Sequence, residues 1–146
     1  MIGLLQRVNS ARVTVNGADI GCIKEGLLVL VAIEPKDTQR HAERLLHRLL
    51  GYRIFEDTDG KMNLSLTEIN GGLLLVPQFT LAADTQKGMR PSFTPAASPE
   101  LGETLFNYLC LQARQRHHNV ANGQFSANMQ VSLTNDGPAT FWLQVP

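Results

Sequence analysis

Hydrophobic positions along the chain fall into blocks whose spacing separates strands from helices. Residues 2–15 carry partly alternating apolar side chains through Val8, Val13 and Val15, then meet Asn16-Gly17, the strongest short hairpin signal. A return strand over 18–23 follows. The β-branched run at 27–33, set between Gly26 and Pro35, reads as a buried central strand. Beyond Pro35, Ala42, Leu45, Leu46, Leu49 and Leu50 recur at helical spacing, with Asp37 or Thr38 to cap the helix and Gly51 to stop it. Residues 52–55 suggest a short strand ended by a turn at Asp57-Thr58-Asp59-Gly60.

Residues 71–81 are the stretch around which the chain is organised. Gly71 and Gly72 launch Leu73 to Val76, four apolar residues without alternation, which suits a strand covered on both faces. After Pro77 the run turns polar, and in an extended segment Gln78 and Thr80 share one side with Phe79 on the other. That polar end is either a site of chemistry or a plain exit to solvent. A long connection over 82–97 follows, of the kind that is often functional. Ser98-Pro99-Glu100 then starts a second helix, whose Leu101, Leu105, Tyr108 and Leu109 share a face and which frays over 114–118. Residues 124–133 alternate almost strictly, placing Phe125, Ala127, Met129, Val131 and Leu133 on one side of a half-buried strand. Asn135 to Pro138 break it, and 140–145 form the last strand. The order predicts an α/β fold of three layers, β/β/α, with mixed, mainly antiparallel sheets and two helices packed on one side.

Composition narrows the reading without naming a function. A chain of 146 residues with 43% hydrophobic content, thirteen charges of each sign and no evident linker is expected to be one domain over 1–146. Its formal charge of zero argues against a surface that grips nucleic acid everywhere, and leaves room for a local basic patch. Cys22 and Cys110 stand far apart, and Met1 runs into the first strand without a signal-peptide pattern, so reduced thiols in a cytoplasm are expected. No apolar run reaches the ~18 residues of a membrane span.

Standard catalytic sets are missing from the sequence: there is no G-x-S-x-G elbow, P-loop, Rossmann fingerprint or H-E-x-x-H. Thr80 is a candidate nucleophile that lacks a neighbouring base in sequence. Lys87 and Arg90 flank a glycine beside the candidate site and suit a phosphate, or are scattered surface charge. His41 and His47 do not share a helix face, and His117 and His118 are adjacent, so neither pair suits a metal. In the 57–60 turn the glycine falls two positions early for a calcium loop. No metal or cofactor is expected.

Two segments carry a resemblance. Val76-Pro77-Gln78-Phe79-Thr80-Leu81 and Asn135-Asp136-Gly137-Pro138-Ala139-Thr140 closely resemble the paired signatures of the D-aminoacyl-tRNA deacylase family, written S-Q-F-T-L and N-x-G-P-V-T. Gln6-Arg7-Val8 and the blocks at 51–55, 61–64, 88–93 and 129–133 fit it as well. The resemblance implies hydrolysis of the ester between a D-amino acid and the 3′-terminal adenosine of tRNA, with glycine mischarged on alanine tRNA as a second substrate. It further implies a homodimer with its active site at the subunit interface, where a cis Gly137-Pro138 enters the partner's pocket and excludes L side chains. Gln78, Phe79 and Thr80 would form the catalytic pocket, with backbone N–H groups on the oxyanion and the substrate's own 2′-hydroxyl assisting. Met129, Phe125, Ala127 and Pro77 would line the substrate, Arg7 would brace the Gly-Pro segment, and Lys87 and Arg90 would contact tRNA.

Three positions depart from the family pattern. Pro77 replaces the usual Ser, removing a hydroxyl and a backbone N–H. Ala139 stands where Val is usual, and Ser126 where Gly is common. Two competing readings follow from the residues: a Thr-nucleophile hydrolase of another small ester or amide, and a non-catalytic dimeric binding module that keeps the fold while Pro77 disables the chemistry.

Overall fold

β1 (Ile2–Val15) is the strand on which the sheet is built, because both its edges are paired along most of its length. The computed structural model describes all residues 1–146. One edge of β1 runs antiparallel to β8 (Gln130–Gln144), from Ile2↔Gln144 to Thr14↔Gln130. The other edge takes β3 (Gly26–Ala32) over its first half and β2 (Ala18–Ile23) over its second. β3 continues in parallel to β6 (Gly72–Pro77), and β6 to the short β7 (Val120–Asn122). The sheet curls until β7 comes back to β2: a Cβ built on Gly21 would lie 3.1 Å from the Asn122 carbonyl oxygen.

Curling gives the sheet two covered faces. Val8, Val13, Ile23, Leu28, Leu74 and Val76 fill the inside of the curl. The alternate residues Leu27, Val29, Leu73 and Leu75 face outward against α1 (Gln39–Gly51) and α3 (Pro99–Arg116). This explains why 73–76 lack alternation: both sides are buried, and each leucine so covered contributes ~1.5–3 kcal/mol. The layers are therefore sheet, sheet and helices, as the order of elements predicts. The two helices share the buried cluster of Leu45, Leu49, Leu105 and Leu109, and the Tyr108 hydroxyl donates to Glu43 between them.

Local chemistry sets the element ends. Thr38 caps α1, its N–H donating to His41 Nδ1 at 3.0 Å, so His41 closes the first turn. Ser98 caps α3 by accepting from the Leu101 N–H at 3.3 Å. A short helix not expected from the sequence, α2 (Leu66–Ile69), is closed by Ser65 and Glu68 capping each other. It follows a two-stranded ribbon of β4 (Phe55–Glu56) and β5 (Met62–Leu64), so the strand expected over 52–55 starts only at Phe55.

Four other expectations are corrected. The chain leaves β6 at Pro77 and turns through a 3-10 helix, Phe79–Ala82, so Gln78 to Thr80 are not extended. The cause is Ala82, which tucks against Ile2 and Ala32 and draws the chain back. Residues 124–129 form a turn, with Ser126 left-handed at φ 63 and the Ala127 N–H donating to the Gln124 carbonyl at 3.3 Å; the strand begins at Gln130. Asn135 to Pro138 do not end that strand but bulge from it, and pairing with β1 resumes at Gln6↔Thr140. α3 does not fray: it ends at Arg116, and the buried His117 donates its N–H to the Ala113 carbonyl at 2.8 Å while its ring meets the Gly71 carbonyl.

Candidate active site

A cavity of about 580 Å³ opens where β3 and β6 end, roofed by the first turns of α3 and by the 124–129 turn. Pro77, Gln78, Phe79, Phe125, Ala127 and Met129 all line it. Phe125, Ala127, Met129 and Val131 share the cavity, but so do Ser126 and Asn128, because the backbone over 124–129 is a turn and not the expected strand. None of its lining residues is charged; its polar groups are Gln78, Ser98, Ser126 and Asn128. No ionisable side chain of this chain stands in the cavity to act as acid or base.

Pro77 occupies a position where its missing N–H has no ladder partner. The Gln78 N–H donates to the Val31 carbonyl at 2.8 Å and the Gly123 N–H to the Leu75 carbonyl at 2.8 Å, so odd-numbered residues of this strand face β7. β7 stops at Asn122, opposite Leu75, and Pro77 lies past its end. Gly123 fits the space beyond: a Cβ there would stand 2.7 Å from Met129 Sδ and 3.4 Å from Pro77 Cδ.

At the mouth, Phe79 and Thr80 open the 3-10 turn, and the first N–H groups of a helical turn have no partner inside it. The Gln78 amide donates to the Thr80 hydroxyl. An amide is no base, and Thr80 is exposed at the edge of the cavity rather than lining it. Phe79 meets Phe93 edge to face, ring centroids 5.1 Å apart. Lys87 and Arg90 sit on a loop that the Asp84↔Ser92 bridge closes just before Phe93; they do not line the cavity.

Gly137 and Pro138 lie elsewhere. The bond between them is cis, and both are exposed on the bulge of β8. Arg7, 5% exposed, holds the bulge: Nε donates to the Asp136 carbonyl at 3.0 Å and Nη1 to the Ile54 carbonyl at 2.8 Å. Asn135 laces the same bulge, its Oδ1 accepting from the Ala139 N–H at 2.7 Å. Gly137, at φ 135, holds a backbone conformation that L side chains rarely adopt, and a Cβ there would stand 2.8 Å from Arg7 Nη2 and push that guanidinium aside. Arg7 pairs with Leu27, whereas the cavity reaches β3 only at Val31, four strand residues or ~13 Å away. Within one chain the two signature segments do not meet.

Four ionisable groups with shifted titration lie away from the cavity. Hydrogen bonds from backbone N–H groups hold the carboxyls of Asp57 and Glu68 below their ordinary range. The bond to Glu43 raises Tyr108, and burial pushes the Cys110 thiol up to about 12. Sequence reasoning missed part of the cavity lining, namely Phe93, Ala97, Ser98, Gly102 and Phe106. The unusual length of the 82–97 connection was the only signal for part of it.

Fold and cavity define an α/β protein with a mainly apolar pocket at a sheet end and polar groups at its mouth, a concave site of the kind that takes a small ligand or a terminal group. The model of the family described as D-Tyr-tRNA(Tyr) deacylase matches residues 4–144, and the chain belongs to that family. It is similar to a Pseudomonas fluorescens protein named D-aminoacyl-tRNA deacylase, 62% identical over 144 residues and 99% of each chain. A Janthinobacterium protein of the same name is 61% identical, covering 99% of this chain and 97% of its own. Among solved structures, one named c-Myc DNA Unwinding Element Binding Protein superposes with TM-score 0.95 at 38% identity, over 100% of this chain and 99% of that one. A probable eukaryotic D-amino acid tRNA deacylase superposes at 0.82 with 19% identity, covering 97% and 98%, and shares the fold.

Proposed function

We infer that this chain hydrolyses the ester between a D-amino acid and the 3′-terminal adenosine of tRNA, removing mischarged residues before translation uses them. The observation that carries this reading is the family match over 4–144, with relatives of that activity at about 62% identity along the full length. The cavity's size suits a nucleoside carrying a small acyl group.

Water attacks the ester carbonyl, the carbonyl oxygen gains charge, and the ribose oxygen leaves with a proton. In this reading the N–H groups of Phe79 and Thr80 stabilise the oxyanion. With no acid or base in the cavity, the ribose 2′-hydroxyl next to the ester relays the proton. Phe125, Ala127, Met129 and Pro77 form the walls around the substrate, and Gln78 fixes the mouth through Thr80. Chiral selection falls to Gly137 and Pro138 of a second copy, whose bulge, braced by Arg7, enters this cavity in a homodimer. A ligand without a side chain meets no such obstacle, so glycine on alanine tRNA is also released. Lys87 and Arg90 meet tRNA phosphates, and the chain works as one domain in the cytoplasm. No helix is long and apolar enough to cross a membrane.

Incubation with D-tyrosyl-tRNA and L-tyrosyl-tRNA tests the reading: release from the D form alone is expected, and equal release or none overturns it. No release would favour the non-catalytic binding module. A Thr nucleophile predicts an acyl-enzyme that Thr80→Ala abolishes; here Thr80→Ala retains partial activity and no acyl-enzyme accumulates. DNA, which the name of the 38% identical neighbour mentions, is not adopted as a ligand, since zero net charge gives a duplex little electrostatic attraction.

A further inference from the structure

Three of the chain's seven large exposed apolar side chains fall within residues 79–93: Phe79 at 56% exposure, Met89 at 99% and Phe93 at 42%. Such clustering marks a surface that meets a partner. Phe79 and Phe93 both line the cavity and both open to solvent, so together they form one side of its mouth. Their edge-to-face contact fixes the two rings relative to each other, and the Asp84↔Ser92 bridge anchors the backbone just before Phe93. The loop closed by that bridge carries Lys87 and Arg90, and its one carboxylate, Asp84, is turned to its own backbone, accepting from the Gln86 N–H at 3.0 Å. Across the mouth, Ser126 and Asn128 are polar and uncharged.

Flat aromatic faces beside cations are how proteins hold single-stranded nucleic acid: bases stack on the rings and phosphates lie near the charges. A tRNA whose terminal nucleoside occupies the cavity must pass its preceding nucleotide across the mouth. We propose that the solvent-facing side of the Phe79–Phe93 pair is a second nucleotide subsite, on which the base preceding the terminal adenosine stacks, with Arg90 and Lys87 facing its backbone. The proposal rests on the reading of the chain as an aminoacyl-tRNA hydrolase and adds a contact outside the reacting nucleoside. Phe93 is a positioning residue here: it holds the strand so that the terminal ester reaches the cavity.

The test compares D-tyrosyl-tRNA with 3′-O-(D-tyrosyl)adenosine, which ends at the terminal nucleoside. For Phe93→Ala, KM for the tRNA rises by about tenfold more than KM for the adenosine ester, with kcat falling much less. Phe93→Trp restores the tRNA value, which a purely structural role would not predict. Arg90→Gln, on an exposed loop and independent of the packing of Phe93, likewise raises KM for tRNA more than for the ester and shallows the salt dependence by about one phosphate contact. Equal losses on the two substrates would show that Phe93 serves the cavity alone, and no loss on tRNA would show that the rings carry no base; either overturns the subsite. A wild-type protein inactive on both substrates removes the functional reading itself and the subsite with it, so the two failures are distinct.

Discussion

Arg7 reaches across from the central strand to Asp136, its Nε donating to that residue's carbonyl at 3.0 Å, and thereby fixes the bulge that carries Gly137 and Pro138. The guanidinium's other arm is tied to the Ile54 carbonyl at 2.8 Å, so one buried side chain joins three distant parts of the sequence.

Arg7→Ala leaves the Ile54 carbonyl buried without its donor and is expected to cost ~1–3 kcal/mol in urea unfolding. Arg7→Lys keeps the charge but lacks the planar fork that spans both carbonyls. It is expected to fold with a smaller loss and to release D-tyrosine from tRNA at least about tenfold more slowly, because the bulge is no longer held. Wild-type rates from the lysine variant would show that the brace is not needed.

Pro77 lies past the end of β7, where a backbone N–H has no ladder partner. Pro77→Ser is therefore expected to shift stability by less than ~1 kcal/mol and to leave turnover unchanged or raise it. Steady-state deacylation checks this, and a large fall in kcat would show that the proline ring itself shapes the catalytic pocket.

Ser126 adopts φ 63, where a Cβ is disfavoured by ~1–2 kcal/mol. Ser126→Gly removes that cost and adds backbone freedom to the unfolded chain, which returns part of the gain. A rise in Tm of a few degrees is expected in calorimetry. A fall would mean that the serine side chain supports the turn.

Glu68 caps α2 and has its carboxyl held below the ordinary range by the Ser65 N–H and hydroxyl. A carboxylate lowered in the folded state stabilises above its unfolded value, and that stability is lost as pH falls through the folded one. Urea midpoints should therefore decline as pH drops below ~4, the usual carboxylate region, with Asp57 contributing in the same direction. Glu68→Gln should flatten part of the decline; an unchanged slope would remove Glu68 as a contributor.

Much of the fold was legible because it rests on local rules. Asn16-Gly17 turns the first hairpin, Thr38 and Ser98 start the two long helices, and the unbroken apolar run at 73–76 is buried on both faces. The paired signatures at 77–80 and 137–138 were legible too, since they are contiguous. Phe125, Ala127 and Met129 are less exposed than Ser126 and Asn128, as the apolar alternation expects, although the backbone there is a turn and all five line the cavity.

What only the tertiary structure decided depends on contacts between distant residues. The 3-10 turn at 79–82 exists because Ala82 finds Ile2 and Ala32, and the three residues of β7 are too few to show a period. The cavity also takes Phe106 from α3 and Phe93 from the 82–97 connection, which join Pro77 in its lining only once these segments pack on the sheet. The separation of the Gly-Pro bulge, braced beside Leu27, from a cavity that reaches β3 at Val31 is likewise set by strand register, a property of pairing rather than of either segment. Sequence determined which residues form the paired signatures, because residue type and short-range spacing are written there; the curl of the sheet decided which of them share a cavity, because burial is settled by the whole chain at once.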